Sequence, residues 1–253
     1  MNPFISLQEF SYQSQDSFVL IFCSSSSTPP ARFIPRSFFY VVDDNAALFT
    51  KNCSCLEIDD DKTIICYDNG DLHNACKAYW GFKATGHDDV KVLLGGIRSC
   101  EKHRINLVSG EIPEIKKGET PCLPFNEAVA MTLEQFSRKE SYAEQVIEAK
   151  RLNIEITDTS GEILSQTLIV KLLKENEIEY KPNKMTIVHG KNSFYVGLIL
   201  NYLGERMISV VLEDTTGFVS AKKSRLVPEY KKPEKVTSID PQSNRKCCGC
   251  SVF

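Results

Sequence analysis

The sequence predicts an α/β protein built on parallel sheets, in two halves of about one domain length each. Three observations carry this. Two apolar, β-branched runs each stop at a polar residue. Each is followed by a glycine-containing loop and a helix that leads into another apolar run. The unit recurs, with Asp68 and His189 121 residues apart and Val92 and Val210 118 apart. Strand, loop, helix and strand in that order make a βαβ unit, which favours a parallel sheet covered on both faces. One doubly wound domain would use the same grammar, but a repeat distance near 120 residues favours two domains.

In the first unit, Thr63-Ile-Ile-Cys-Tyr-Asp68 is a continuous apolar run, the mark of a buried strand. A polar loop with Gly70 follows, then a helix over Asn74–Lys83 closed by Gly86, then the strand Val90-Lys-Val-Leu-Leu94. In the second unit the strand is Met185-Thr-Ile-Val-His189 and the loop carries Gly190. The helix Phe194–Leu203 is apolar on nearly every side and is therefore expected to be buried; Gly204 closes it and Ile208–Leu212 is the next strand. The second loop and helix together are shorter by about three residues. Residues 115–126, with two prolines, a glycine and several charges, read as a linker between a domain over 1–114 and one over 127–230. Glu127 to Leu133 is expected to begin the second half as helix. Residues 231–253 are polar and proline-broken, and read as a flexible tail.

Bulk properties exclude several classes. Of the 253 residues 42% are hydrophobic and 25% charged, which suits a packed core. A net charge of −3 offers no basic field for nucleic acid. No run of 18 apolar residues suggests a membrane span. The opening MNPFISLQEF lacks the cationic region of a secretory signal and the arginines of a mitochondrial one, so a cytoplasmic location is expected. The ten cysteines then read as reduced thiols. No metal-ligand spacing appears in the body of the chain, and no cofactor motif is present.

Several spaced motifs resemble the first half of tandem rhodaneses, the family of thiosulfate and mercaptopyruvate sulfurtransferases. They are Tyr67-Asp68, Tyr79-Trp80-Gly-Phe, Gly86-His-Asp-Asp-Val90 and Val92-Leu-Leu-Gly95-Gly96. Ile34-Pro35-Arg36-Ser37 looks like a decayed Ile-Pro-Gly-Ala motif; Leu94 replaces an aspartate of the family pattern, and Cys100 a tryptophan. Over 140–218 the resemblance rests on element order, Gly190 and Leu203-Gly204. It implies two rhodanese-like domains, each a parallel five-stranded sheet flanked by helices. It also implies a non-catalytic first half carrying Asp68 where a nucleophile would stand, and a working cysteine at the end of the matching second-half strand.

That chemistry needs a thiolate able to carry a sulfane sulfur, held at a helix N-terminus by converging backbone N–H groups. At the matching position stands His189, followed by Gly190, Lys191, Asn192, Ser193, Phe194 and Tyr195. Imidazole forms no persulfide, and the two aromatic residues are expected to crowd an anion pocket. The family's Asp-x-Arg pattern reads Glu148-Ala149-Lys150, and its second Gly-His-Ile-Pro-Gly-Ala signature is not recognisable. Loss of sulfur transfer is therefore the expectation. Cys66 and Cys76 are expected to be buried and inert. His189, with Lys191 nearby, has the makings of a general base or a phospho-acceptor; the plainer reading is a ring filling a collapsed loop. His87 reads as a structural residue of a turn, and His73 and His103 stand in no constellation.

The chain closes on Cys247-Cys248-Gly-Cys250-Ser-Val-Phe253. Cys250-Ser-Val-Phe fits a C-a-a-X box of the geranylgeranyl type, with Cys247 and Cys248 as candidates for palmitoylation. Residues 222–246 hold eight basic side chains against three acidic ones. A lipid plus a polybasic segment gives stable anchoring where one lipid gives marginal binding. The expected role is a catalytically inactive binding or scaffolding module, peripheral on the cytosolic face of a membrane. The alternatives are a divergent active sulfurtransferase and a structural component of a cytoskeletal or ciliary assembly. Nothing in the sequence names the protein partner.

Overall fold

The structure, a computed structural model, describes residues 2–43, 45–53, 58, 62–115, 124–150 and 154–213, all within one compact unit. Most of the proposed linker and the whole C-terminal segment, with Cys247, Cys248 and Cys250, lie outside the described residues.

The first half runs β1 (Phe4–Ile5), α1 (Leu7–Ser11), β2 (Phe18–Ser24), β3 (Phe38–Val41), α2 (Ala46–Cys53), β4 (Thr63–Tyr67), α3 (His73–Ala84), β5 (Val90–Leu93) and α4 (Gly96–Lys102). Its five strands are all parallel, in the order β1-β5-β4-β2-β3. The second half runs β6 (Ala130–Met131), α5 (Leu133–Lys139), β7 (Gln145–Glu148), α6 (Gln166–Glu175), β8 (Thr186–His189), α7 (Ser193–Tyr202) and β9 (Ile208–Val211). Its sheet, also parallel, has the order β6-β9-β8-β7.

The repeat extends further back than its sequence signal. Both halves open on a two-residue strand and a short helix with a capping box, Ser6 with Glu9 and Thr132 with Gln135. In each, the cap hydroxyl accepts from the third helical N–H and the later side chain accepts from the cap's own N–H. The expected helical start at Glu127 is thus corrected. Ala130–Met131 is an edge strand paired with Val210 and Val211, and the helix begins only at Leu133. The expected five strands in each half are also corrected: among the described residues the second sheet has four. Where β3 would have its counterpart, Thr157 and Ile163 form an isolated antiparallel bridge.

Strand alternation sorts side chains between layers. In β4, Ile64 and Cys66 face one core while Ile65 and Tyr67 face another. The first of these cores is common to both halves: it joins Phe49, Trp80 and Phe82 to Ile169, Val188, Leu198 and Val210. The predicted apolar helix is α7, and seven of its ten residues are buried. It lies against α3, where a Cβ at Gly197 would meet Val210 at 2.6 Å and the Trp80 ring at 3.1 Å. The Trp80 indole N–H donates to Phe194 O at 2.9 Å, tying the two helices together.

Candidate functional site

The two strand-to-helix loops are equivalent in position and opposite in state. In the first half β4 ends at Tyr67, and Asp68 turns its side chain back into the loop. One carboxylate oxygen accepts from Gly70 N–H at 2.8 Å and Leu72 N–H at 3.1 Å; the other accepts from Ala75 N–H at 3.2 Å, in the first turn of α3. An amide cradle is present, and the protein's own carboxylate fills it. Burial and the neighbouring Asp71 push the Asp68 carboxyl up from 3.8 to about 6, against the pull of these N–H groups.

Glycine is required behind this loop. A Cβ on Gly96, whose φ is +48°, would lie 2.2 Å from Asp68 O, while Ile97 N–H donates to that same oxygen at 3.0 Å. The Gly95-Gly96 turn therefore clamps the loop from below. The Ile34–Ser37 motif is tied to the same strand end, because Tyr67 Oη accepts from Ile34 N–H at 3.1 Å and lies 2.6 Å from Ser37 Oγ. Arg36 there has φ +65°, the left-handed conformation that the motif's glycine adopts readily and that costs a residue with a Cβ roughly 1 kcal/mol.

In the second half two of the loop's amides are engaged by carbonyl oxygens. Asn192 N–H donates to Ala149 O at 3.1 Å and Ser193 N–H to Gly190 O at 3.0 Å, so these amides close the loop on itself. The Asn192 amide donates to Lys150 O, and Ser193 Oγ donates to Val211 O at 3.1 Å. Counted from the equivalent positions Asp68 and His189, four residues, 69–72, precede the helix in the first half and three, 190–192, in the second; the rest of the shortening falls after the helix starts. Glu148, Ala149 and Lys150 do flank it: Glu148 pairs with His189 in the sheet, and Ala149 N–H donates to His189 O at 2.7 Å.

His189 is half-buried, and its ring stacks on Phe136 with centroids 4.9 Å apart and planes at 28°. Burial lowers its pKa, and the Glu148 and Glu140 carboxylates pull the other way. Of the two aromatic residues expected to crowd the loop, only Phe194 fronts open space. Tyr195 is directed elsewhere, its hydroxyl donating to Ile154 O at 3.1 Å.

A cavity of about 370 Å³ lies between the halves beside this loop, lined by His73, Lys77, Gly190, Lys191, Phe194, Leu212 and Glu213. His73 stands edge-on to Phe194, with centroids 5.9 Å apart, and Lys77 is only 3% exposed. Sequence reasoning assigned no constellation to His73 and did not single out Lys77. Their four-residue spacing puts them on one helix face and was the available signal. His87 lies in a turn, where its backbone N–H donates to Phe82 O at 3.1 Å and its ring stands edge-on to Phe82 with centroids 6.1 Å apart. His103 Nδ1 lies 2.9 Å from Ser99 O, away from the cavity lining.

The described thiols lie elsewhere. Cys23, Cys53, Cys66, Cys76 and Cys100 are free and buried. Burial raises the pKa of Cys23 and Cys76 and pushes Cys53 up to about 12 and Cys100 to about 11. Among the described residues no group of three or more His, Cys, Asp or Glu side chains could hold a metal ion. Among those residues, too, no helix is long and apolar enough to cross a membrane.

Known proteins share this arrangement. No family model matches the chain. The 3-mercaptopyruvate sulfurtransferase of Escherichia coli is 25% identical over 167 residues, 62% of this chain and 59% of that protein. The chain thus spans about three fifths of the length of that curated relative. A solved 3-mercaptopyruvate sulfotransferase from Escherichia coli, described as having the rhodanese fold, superposes with a TM-score of 0.64 at 17% identity, covering 85% of this chain and 99% of that one. A sulfur transferase subunit of yeast mitochondrial complex I superposes with a TM-score of 0.59 at 14% identity, covering 84% and 94%. With the two parallel sheets and their strand-to-helix loops, these likenesses show that the chain has the rhodanese fold and resembles the sulfurtransferases in sequence.

Proposed function

We propose that the protein is a catalytically inactive member of this family, a pseudo-sulfurtransferase that works as a binding or scaffolding module at the cytosolic face of a membrane. The observation that carries the inactivity is the imidazole of His189 at the end of β8, where sulfur transfer requires a thiolate. Two further features support it. The neighbouring amides Asn192 and Ser193 already donate to carbonyl oxygens, so a sulfur anion there would have fewer donors. The described thiols sit in the core, where burial keeps Cys23, Cys53, Cys76 and Cys100 protonated.

A second reading, a divergent active sulfurtransferase, draws on the names of the relatives. A thiosulfate-to-cyanide transfer assay on the purified full chain decides between the two. The expected result is no turnover above the uncatalysed rate, for the wild type and for His189→Cys alike. Turnover near the rate of a family enzyme would defeat the proposal; activity gained only in His189→Cys would show that the loop can still present its amides to an anion.

The membrane part of the proposal is supported by Cys247, Cys248 and Cys250 behind a segment, 222–246, with a net charge of +5. Each cation near an anionic leaflet contributes on the order of 1 kcal/mol and reinforces a lipid chain that binds only marginally alone. Mass spectrometry of the native protein is expected to find a prenyl group on Cys250. Cysteines 247, 248 and 250 all unmodified would remove the anchor and leave the inactivity untouched.

A further inference from the structure

We infer that the cleft at the C-terminal ends of α3 and α7 is a binding site for a small zwitterion of the amino-acid class, held by Tyr79 of α3, Asn201 of α7, and Glu205 and Arg206 just beyond. This end of the molecule is remote from the strand-to-helix loops, so the site stands independently of the reading of His189.

α3 starts at His73, beside the β4–α3 loop, and Tyr79 and Lys83 lie one turn apart on a face nearer its other end. α7 likewise starts beside the His189 loop and carries Asn201 in its last turn. Between these far ends lies a cavity of about 350 Å³, closed by Pro3 and Val90 at the starts of β1 and β5 and by residues 204–206 after α7. It shares no lining residue with the cavity beside the His189 loop.

Tyr79 is the residue that asks for a ligand. It is 4% exposed, and its hydroxyl has no hydrogen-bond partner among the described residues. A buried polar group is ordinarily paired, and a phenylalanine would fill the same space without that demand. Burial raises the Tyr79 pKa, so the hydroxyl stays protonated and can donate as well as accept. The Asn201 amide is also without a partner among the described residues, and it offers both a donor and an acceptor.

The charges of the cleft fix the class. Lys83 Nζ donates to Asp88 O at 3.0 Å and lies 3.8 Å from Asp88 Oδ1, so these two answer each other. One charge of each sign is left, on residues adjacent in the chain. Arg206 is exposed and makes no ion pair among the described residues. Glu205 Oε2 accepts from Asn183 N–H at 2.8 Å, which leaves the other oxygen open. Glu205 N–H donates to Leu200 O at 3.1 Å, which seats the residue at the carbonyl end of α7. The last turn of α7 holds no basic residue, so that end adds partial negative charge. A ligand carboxylate is therefore met by Arg206, whose planar guanidinium suits it, and a ligand ammonium by Glu205 and the helix end. The two cations and two carboxylates of the lining balance, as do the charges of a zwitterion. A cavity of about 350 Å³ is near the lower end of the range for small-molecule sites.

Isothermal titration calorimetry of the purified full chain at low ionic strength tests this, with the common L-amino acids as separate probes and propionate and ethylamine as half-ligands. At least one amino acid is expected to saturate a single site with a Kd at or below about 1 mM, and each half-ligand to bind about tenfold more weakly or worse. Tyr79→Phe, which removes only the hydroxyl, is expected to weaken binding about tenfold, and Arg206→Ala about tenfold or more. Lys191→Ala, in the cavity beside the His189 loop, should leave the Kd unchanged. Arg206 is exposed, so its variant decides even if Tyr79→Phe proves unstable. No saturable binding of any amino acid up to about 10 mM, or an unchanged Kd in Arg206→Ala, overturns the site. Propionate or ethylamine binding as tightly as the best amino acid overturns the zwitterion.

Discussion

Asp68→Ala is expected to destabilise the protein by about 3–5 kcal/mol, among the largest effects of any single polar substitution in the chain. The side chain is 1% exposed and accepts from three backbone N–H groups, those of Gly70, Leu72 and Ala75. Removing it strands three donors in a loop clamped by Gly96, and Leu72, held at φ +63°, loses the bond that secures its left-handed conformation. For a chain of this size the melting temperature should fall by roughly 10 °C. Chemical denaturation measures it; a loss under about 1 kcal/mol would mean that water satisfies the loop as well as the carboxylate does. The pH dependence carries a second signature. The folded carboxyl titrates at about 6 against an ordinary 3.8, so the folded state holds this proton more tightly. The associated stability is full below about 3.8 and lost as pH rises through about 6. Asp68→Asn, which keeps one acceptor oxygen, should remove that slope from the stability–pH curve.

Trp80→Ala is expected to cost a similar amount, about 3–5 kcal/mol, by a different route. The indole fills the space left by Gly197 between α3 and α7, and its N–H satisfies Phe194 O. Alanine leaves a cavity in the shared core and a carbonyl without its donor. Trp80→Phe separates the two terms: most of the apolar contact survives, and the unpaired carbonyl alone should cost about 1–3 kcal/mol. Equal losses in both variants, measured by urea denaturation, would show that packing at this junction contributes nothing beyond the hydrogen bond.

The strand–loop–helix units could be read from the sequence because their signals are local. Apolar runs such as Thr63–Tyr67 and turn glycines such as Gly86 and Gly204, at φ +95° and +99°, act within a few residues. Ala130–Met131 could not be read this way. Two residues carry no period, and their strand exists only because Val210 and Val211 lie alongside. The site divides along the same line. That His189 stands where sulfur chemistry would need a cysteine is a proposal legible in the sequence because it concerns one position. That Asp68 takes up the amides of its loop, while Asn192 and Ser193 spend theirs on carbonyls, depends on where the backbone turns. His73 and Lys77, four residues apart, share a helix face that the sequence shows, but their approach to Lys191, more than 110 residues on, needs the halves to meet.

The Asp68 carboxylate is joined by one methylene to the strand that ends in its cradle. A tethered group of this kind competes at an effective concentration of millimolar or above, and any dissolved anion would have to displace it from that advantage. The first half is therefore a receptor already loaded with its own ligand, which dissolved anions displace poorly and to which the proton alone adds or subtracts charge.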